Sequence, residues 1–180
     1  MGFDGSFNND CTALVAVRVA ERPHIEVVEL WEAPSQDLPG AQEWRVPIEE
    51  VEDAIRAACK RFQVLELSCD PYRWARTYQI LEAEGFPVVE FPQSPARMTP
   101  ATQHFYEAVI NKQLSHSGDP RLARHVGNAV LKSDSRGMRI IKEHRNSSRR
   151  IDLAVAALMA FERAYWHGNS SGAEPLLAWA

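Results

Sequence analysis

The stretch Val64-Leu65-Glu66-Leu67-Ser68-Cys69-Asp70-Pro71 limits the possible folds more than any other part of this chain. Val64, Leu65, Leu67 and Cys69 suit a buried strand. Pro71 cannot extend a central strand, but it suits the first position of a helix. The stretch therefore predicts a strand that stops at a carboxylate, with Asp70 at or next to the N-cap of the helix that follows. In open α/β sheets that edge is where sites form. Asp is also a favoured N-cap, and most Asp-Pro helix starts are only caps, so Asp70 alone does not make a site.

The neighbouring segments extend the pattern. Trp74, Tyr78 and Leu81 fall on one helical stripe that stops at Gly85, a good residue just past a helix end. Pro87 to Phe91 then reads as a short strand, parallel to the Asp70 strand through a βαβ crossover. Upstream, Met1 to Ser6, Cys11 to Ala20 and Ile25 to Trp31 read as three strands with short turns, an antiparallel meander. Gly2 and Gly5 flank Asp4 on the first strand, as where another backbone or a ligand comes close. Pro47 opens a helix with Glu49 and Glu50 in its first turn and Lys60-Arg61 at its end. Gln93 to Met98 reads as a loop, and Thr99-Pro100 as the start of a helix to about Gln113. His116 to Pro120 reads as a turn, with a helix from Arg121 to about Asn128. Val130–Ser133 and Met138–Lys142 form a hairpin through Ser135-Arg136-Gly137. The last helix is expected from near Ser148 to near Trp166, with Ala154, Ala156, Ala157 and Ala160 allowing close packing on a sheet.

The expected fold is α/β: a mixed sheet of an antiparallel three-strand meander plus parallel strands, flanked by helices, with an extra β-hairpin before the last helix. One domain is expected over residues 1–166, and residues 167–180 read as a flexible tail. No apolar run approaches membrane-spanning length, and no signal peptide is apparent. Cys11, Cys59 and Cys69 have no CxxC spacing and read as reduced core thiols. The net charge of −4 argues against a nucleic-acid partner, but its distribution argues back. Residues 132–150 hold Lys132, Arg136, Arg139, Lys142, Arg145, Arg149 and Arg150 against only Asp134 and Glu143. Such a stretch on an acidic body can grip phosphate, or it can be a solvated mixed-charge hairpin.

Three aspartates stand at element boundaries: Asp4 on the first strand, Asp70 ending the fourth, and Asp152 in the first turn of the last helix. Carboxylates that converge from separate elements repel one another unless a cation balances them, and hard oxygen ligands suit Mg2+ or Mn2+. Two such ions about 4 Å apart would clamp the attacking and leaving oxygens of a phosphodiester. Each aspartate also has a plain reading: a turn residue, a helix cap, or a charge on the helix macrodipole.

This order of elements, with its three aspartates, resembles the ribonuclease H-like nuclease superfamily. Three strings narrow the resemblance: Gly2-Phe3-Asp4-Gly5-Ser6 followed by Asp10-Cys11-Thr12-Ala13-Leu14; Ser68-Cys69-Asp70-Pro71; and Arg150-Ile151-Asp152-Leu153 with its alanine-rich continuation to Ala160. Together they resemble the nuclease domain of tailed-bacteriophage terminase large subunits, and the last is the most specific. The resemblance implies that Asp4, Asp70 and Asp152 are catalytic, metal-binding carboxylates, with two Mg2+ or Mn2+ ions in the active complex. It implies an endonuclease that cuts double-stranded DNA concatemers during genome packaging, in the cytoplasm of the infected bacterial host. Implied partners are duplex DNA, the ATPase half of the same subunit, the small terminase subunit and the portal, with no membrane. The sequence carries no G-x-x-x-x-G-K-[ST] loop, so an excised nuclease domain is expected. Lys142, Arg145, Arg149 and Arg150 are the candidate DNA-binding residues. The roles of Asp10 and His116 stay open. Two other readings compete: a different ribonuclease H-like nuclease, such as a junction resolvase or transposase core, and a non-catalytic docking domain of the packaging machinery.

Overall fold

The computed structural model describes residues 1–6, 11–34, 44–72, 74–144 and 147–170. The expected turn at Phe7–Asp10, and with it Asp10, lies outside the described residues, as do Arg145 and the last ten residues.

The meander forms as its pattern dictates. Strands β1 (Gly2–Asp4), β2 (Cys11–Arg18) and β3 (His24–Glu32) pair antiparallel in sequence. The chain then enters helix α1 (Ile48–Arg61), whose Val51, Ile55 and Ala58 face the sheet. Strand β4 (Leu67–Cys69) returns beside β1 and parallel to it, and helix α2 (Ala75–Ala83) crosses to parallel strand β5 (Val88–Glu90). Gly85 takes a φ of +87° just past α2, a backbone turn that L side chains resist. After helix α3 (Pro95–Ile110) comes a two-residue strand, β6 (Ser115–His116), then helix α4 (Pro120–Asn128). The hairpin of β7 (Val130–Asp134) and β8 (Gly137–Ile141) stands apart as its own sheet, and helix α5 (Asp152–Ser170) closes the described chain. The main sheet has the order β5-β4-β1-β2-β3-β6.

Two apolar layers cover the sheet. On one face Phe3, Leu14, Leu67 and Cys69 meet Val51 and Ile55 of α1 and Tyr78 and Leu81 of α2, with Trp74 beside them. Phe3 packs edge-on to Trp74 at 5.0 Å and to Tyr78 at 6.1 Å between ring centroids. On the other face Ala13, Val15 and Ile25 meet Leu122 of α4 and Leu153, Ala156 and Ala157 of α5. A further cluster of Phe91, Met98, Ala101, Val155, Leu158 and Met159 joins α3 to α5. Helix α5 is buried on nearly every side from Asp152 to Phe161, which explains its apolar, alanine-rich composition.

Several expectations change in detail. Strand β4 starts at Leu67, and Leu65 is exposed, because the neighbouring β1 and β5 offer partners only from Gly2 and Val88 onward. Pro71 does not open α2. The chain turns first at Tyr72, and the helix begins at Ala75. Helix α3 begins at Pro95 rather than at Thr99-Pro100. The Ser94 carbonyl accepts from Arg97 and Met98 N–H, and burial of Met98, Ala101 and Thr102 offsets the hydrogen bond that Pro100 cannot make. The expected turn at His116 contains β6, which pairs in parallel with the start of β3. Helix α5 starts later than Ser148 and runs past Trp166 to Ser170.

Candidate functional site

The spacing of two carboxylates follows from a contact between main chains. A Cβ built on Gly2 would lie 2.2 Å from the Ala156 carbonyl oxygen and 2.8 Å from the Ala160 nitrogen, so β1 lies directly against the backbone of α5. Only glycine permits that approach. Asp4 lies two residues further along β1, on the same face as Gly2, a rise of roughly 6.6 Å. Asp152 lies four residues, one turn, before Ala156, a rise of about 6 Å. The two steps match, and Asp4 and Asp152 line the same cleft.

Asp70 joins them across the sheet. Phe3 stands opposite Cys69 in the parallel β1–β4 ladder, so the next residues, Asp4 and Asp70, leave their strands side by side. Both sit at the carboxyl ends of parallel strands, where open sheets place their sites. The three aspartates line one cleft of 390 Å³ with Gly5, Tyr72, Gln93, Arg139 and Lys142.

Neighbouring groups hold the carboxylates. The Gln93 side-chain amide donates to Asp4 Oδ1 at 2.8 Å. The Tyr72 backbone N–H donates to Asp70 Oδ1 at 3.0 Å. That bond closes a turn, and α2 begins three residues beyond Tyr72, so Asp70 is not the helix cap that its Pro71 neighbour suggests. Asp152 is buried at the first position of α5, where the helix dipole favours its negative charge. Carboxylates from three elements opening onto one cleft, with Lys142 beside them, suit a hard divalent cation and an anionic ligand.

The basic candidates divide. Lys142 lines the cleft. Arg149 is largely exposed and lies 3.9 Å from Glu143. Arg150 turns inward, reaching Glu32 at 3.3 Å, the Ala33 carbonyl at 3.2 Å and Cys11 Sγ at 3.5 Å. Arg139, not among the candidates, lines the cleft and pairs with Asp134. His116 sits on the far edge strand, where its Nδ1 accepts from Gly118 N–H.

Among the described residues, Cys11, Glu32 and His125 are the one group of three such side chains whose ligand atoms all lie within 4.8 Å of one another. The three aspartates do not form so tight a group. The tighter trio suits a metal poorly. The Arg150 guanidinium already sits between Cys11 and Glu32, and Arg124 holds the other Glu32 oxygen at 2.7 Å. Burial first, and then the charge of Asp152, push the Cys11 thiol far above its usual range, so it stays protonated.

Sequence reasoning missed Gln93 and Tyr72, and counted Arg139 in the basic stretch without choosing it as a DNA-binding candidate. A loop amide and a turn aromatic carry no spacing signal, and only the three-dimensional cleft singles them out.

Comparison with known proteins gives the family and the fold. Residues 40–168 match the family described as terminase large subunit, endonuclease domain. The gene 13 protein of Mycobacterium phage D29 is 30% identical over 178 residues, covering 89% of this chain and 28% of that protein. The chain therefore spans little more than a quarter of that relative's length. The HK97 bacteriophage large terminase superposes with a TM-score of 0.71 at 25% identity, over 88% of this chain and 38% of that one. The large terminase nuclease of thermophilic phage G20c, solved with bound magnesium, superposes with a TM-score of 0.62 at 11% identity, over 90% of this chain and 79% of that one. By sequence and by fold, with its ribonuclease H-like sheet, the chain belongs to the endonuclease-domain family of phage terminase large subunits.

Proposed function

We propose that this domain is the metal-dependent endonuclease that cuts double-stranded DNA concatemers during viral genome packaging, with Asp4, Asp70 and Asp152 holding two divalent ions, Mg2+ or Mn2+. The observation that carries the reading is the convergence of these three aspartates, from β1, the end of β4 and the start of α5, on one cleft. The bound ions supply charge that lowers the pKa of the attacking water and stabilises the leaving 3′ oxygen.

The protein's own residues do the rest. Asp4 is the middle carboxylate, beside Asp70 across the sheet and facing Asp152 across the β1–α5 contact. The sequence suggests Asp70 as the ligand shared by the two ions, from its place between the other two in the topology; the position of β1 between β4 and α5 favours Asp4 instead. Gln93 fixes one oxygen of Asp4, and the Tyr72 N–H fixes one of Asp70, so neither carboxylate must reorganise when substrate arrives. Lys142 positions a backbone phosphate over the cleft, with Arg149 as an outer contact. Such contacts set the register of the duplex without reading bases, so little sequence preference is expected. The small terminase subunit, the portal and the ATPase half of the same subunit are the partners this reading implies, in the cytoplasm of the infected host.

The test is incubation of supercoiled plasmid with the purified domain in Mn2+, Mg2+ or EDTA, beside Asp4→Asn, Asp70→Asn and Asp152→Asn. Metal-dependent nicking and linearisation, lost in all three variants, is the expected result. Undiminished cleavage by a folded aspartate variant would overturn the site, and greater cutting of a four-way junction than of linear duplex would favour a junction resolvase.

A further inference from the structure

Helix α5 begins without a capping side chain of its own, because the residue before Asp152 is the apolar Ile151. Its first turn is closed by Val155 N–H donating to the Ile151 carbonyl at 3.0 Å. The buried Leu153 N–H, one of the first donors of α5 with no carbonyl partner inside the helix, is satisfied from another element. It donates to Nδ1 of His125, a fully buried side chain on α4, at 3.0 Å. One turn along α4, the Asn128 amide donates to the Arg150 carbonyl at 3.0 Å. His125 and Asn128 lie three residues apart on one face of α4. They grip the main chain at Leu153 and at Arg150, on either side of Asp152.

We propose that His125 and Asn128 form a clamp that positions Asp152 for metal binding. The inference rests on the reading of Asp152 as a metal ligand given above. Neither residue lines the cleft, so they act through the backbone that carries the carboxylate and are positioning rather than catalytic residues. The reason for two contacts is mechanical. Asp152 is the first residue of its helix, where the chain arrives from the loop after the hairpin, and helix ends fray unless their backbone groups are held. The Leu153 contact fixes the helix start, and the Arg150 contact fixes the approach to it. Arg150 strengthens the second point through its side-chain bonds to Glu32 and Ala33. Outer groups that orient metal ligands in this way typically change metal affinity by about 10- to 100-fold when removed.

The experiment is calorimetric titration of the chain with Mn2+ alone, with thermal melts in EDTA for each variant. Asp152→Asn is the reference for loss of a ligand. His125→Leu and Asn128→Ala are each expected to weaken Mn2+ binding about tenfold in protein that is folded by its EDTA melt. His125→Asn is expected to restore most of the affinity, since its side-chain carbonyl can accept from the Leu153 N–H. A purely structural role would lower the melting temperature and leave the affinity of the folded protein unchanged. That outcome, with Asp152→Asn still losing binding, would overturn the clamp and leave the metal site standing. Wild-type affinity in Asp152→Asn would overturn both. If His125→Leu does not fold, Asn128→Ala decides the matter, because it removes only the Arg150 contact.

Discussion

At Gly2 a single methyl group is enough to disturb the site. Its added carbon would meet the Ala156 carbonyl at 2.2 Å, main chain against main chain, so no side chain can swing aside. Gly2→Ala is expected to destabilise the fold by about 2–3 kcal/mol, at the high end for overpacking. The folded fraction should also cut more slowly than wild type, because α5 must shift away from β1 and carry Asp152 with it; melting curves beside plasmid cleavage measure both. Gln93→Ala tests a quieter role. It frees Asp4 from its side-chain donor and leaves the backbone alone, so cleavage should fall with little change in melting temperature. The aspartates are legible in the sequence because each marks the end of an element. Gln93 is not, since it owes its place to a loop whose path depends on where α3 packs, and the start of α3 itself reads four to five residues late.

Among the elements, the hairpin gives the clearest test of how DNA is held. Of its cationic side chains, Arg139 is tied to Asp134, while Lys142, just past β8, lines the cleft. Lys142→Ala should weaken binding of linear duplex about equally for any sequence and reduce the slope of log affinity against log salt by about one, as read from titrations at several salt concentrations. An unchanged slope would place Lys142 outside the DNA path. The hairpin reads directly from the sequence because a turn glycine is a local signal, and α4 reads to within a residue, beginning at Pro120 at the end of the expected turn. Strand β6 does not. Two residues have no periodicity, and Ser115–His116 is a strand only because β3 offers it an edge. The late start of β4 is equally non-local, set by the length of its neighbours.

Across the whole molecule, the end of the sheet opposite the cleft is fastened by charge. Glu66, just before β4, accepts from Arg163 of α5 at 2.7 Å and lies 3.0 Å from His167. The Arg163 hydrogen bonds hold the Glu66 carboxyl below its usual value of 4.5. Its contribution to stability is therefore present above that value and is lost as pH falls through the lowered one. Glu66→Gln should cost about 1–3 kcal/mol near neutral pH and flatten the acid limb of the stability profile, measured by melts between about pH 3 and 7. Helix α5 thus spans the molecule, with the ion pair at one end and Asp152 at the other. The layered architecture is legible from the order of strands and helices; this fastening is not, because Glu66 and Arg163 stand far apart in sequence and neither is marked by a motif.

The bare contact between β1 and α5 also bears on how such a nuclease can change over generations. The gap between Asp4 and Asp152 is gauged by main-chain atoms, so replacing Met98, Ile140 or Val155 around it alters the walls without resizing the jaw. A lineage can rewrite most of its interior and still inherit the same cutting width, provided that nothing larger than hydrogen is ever placed at residue 2.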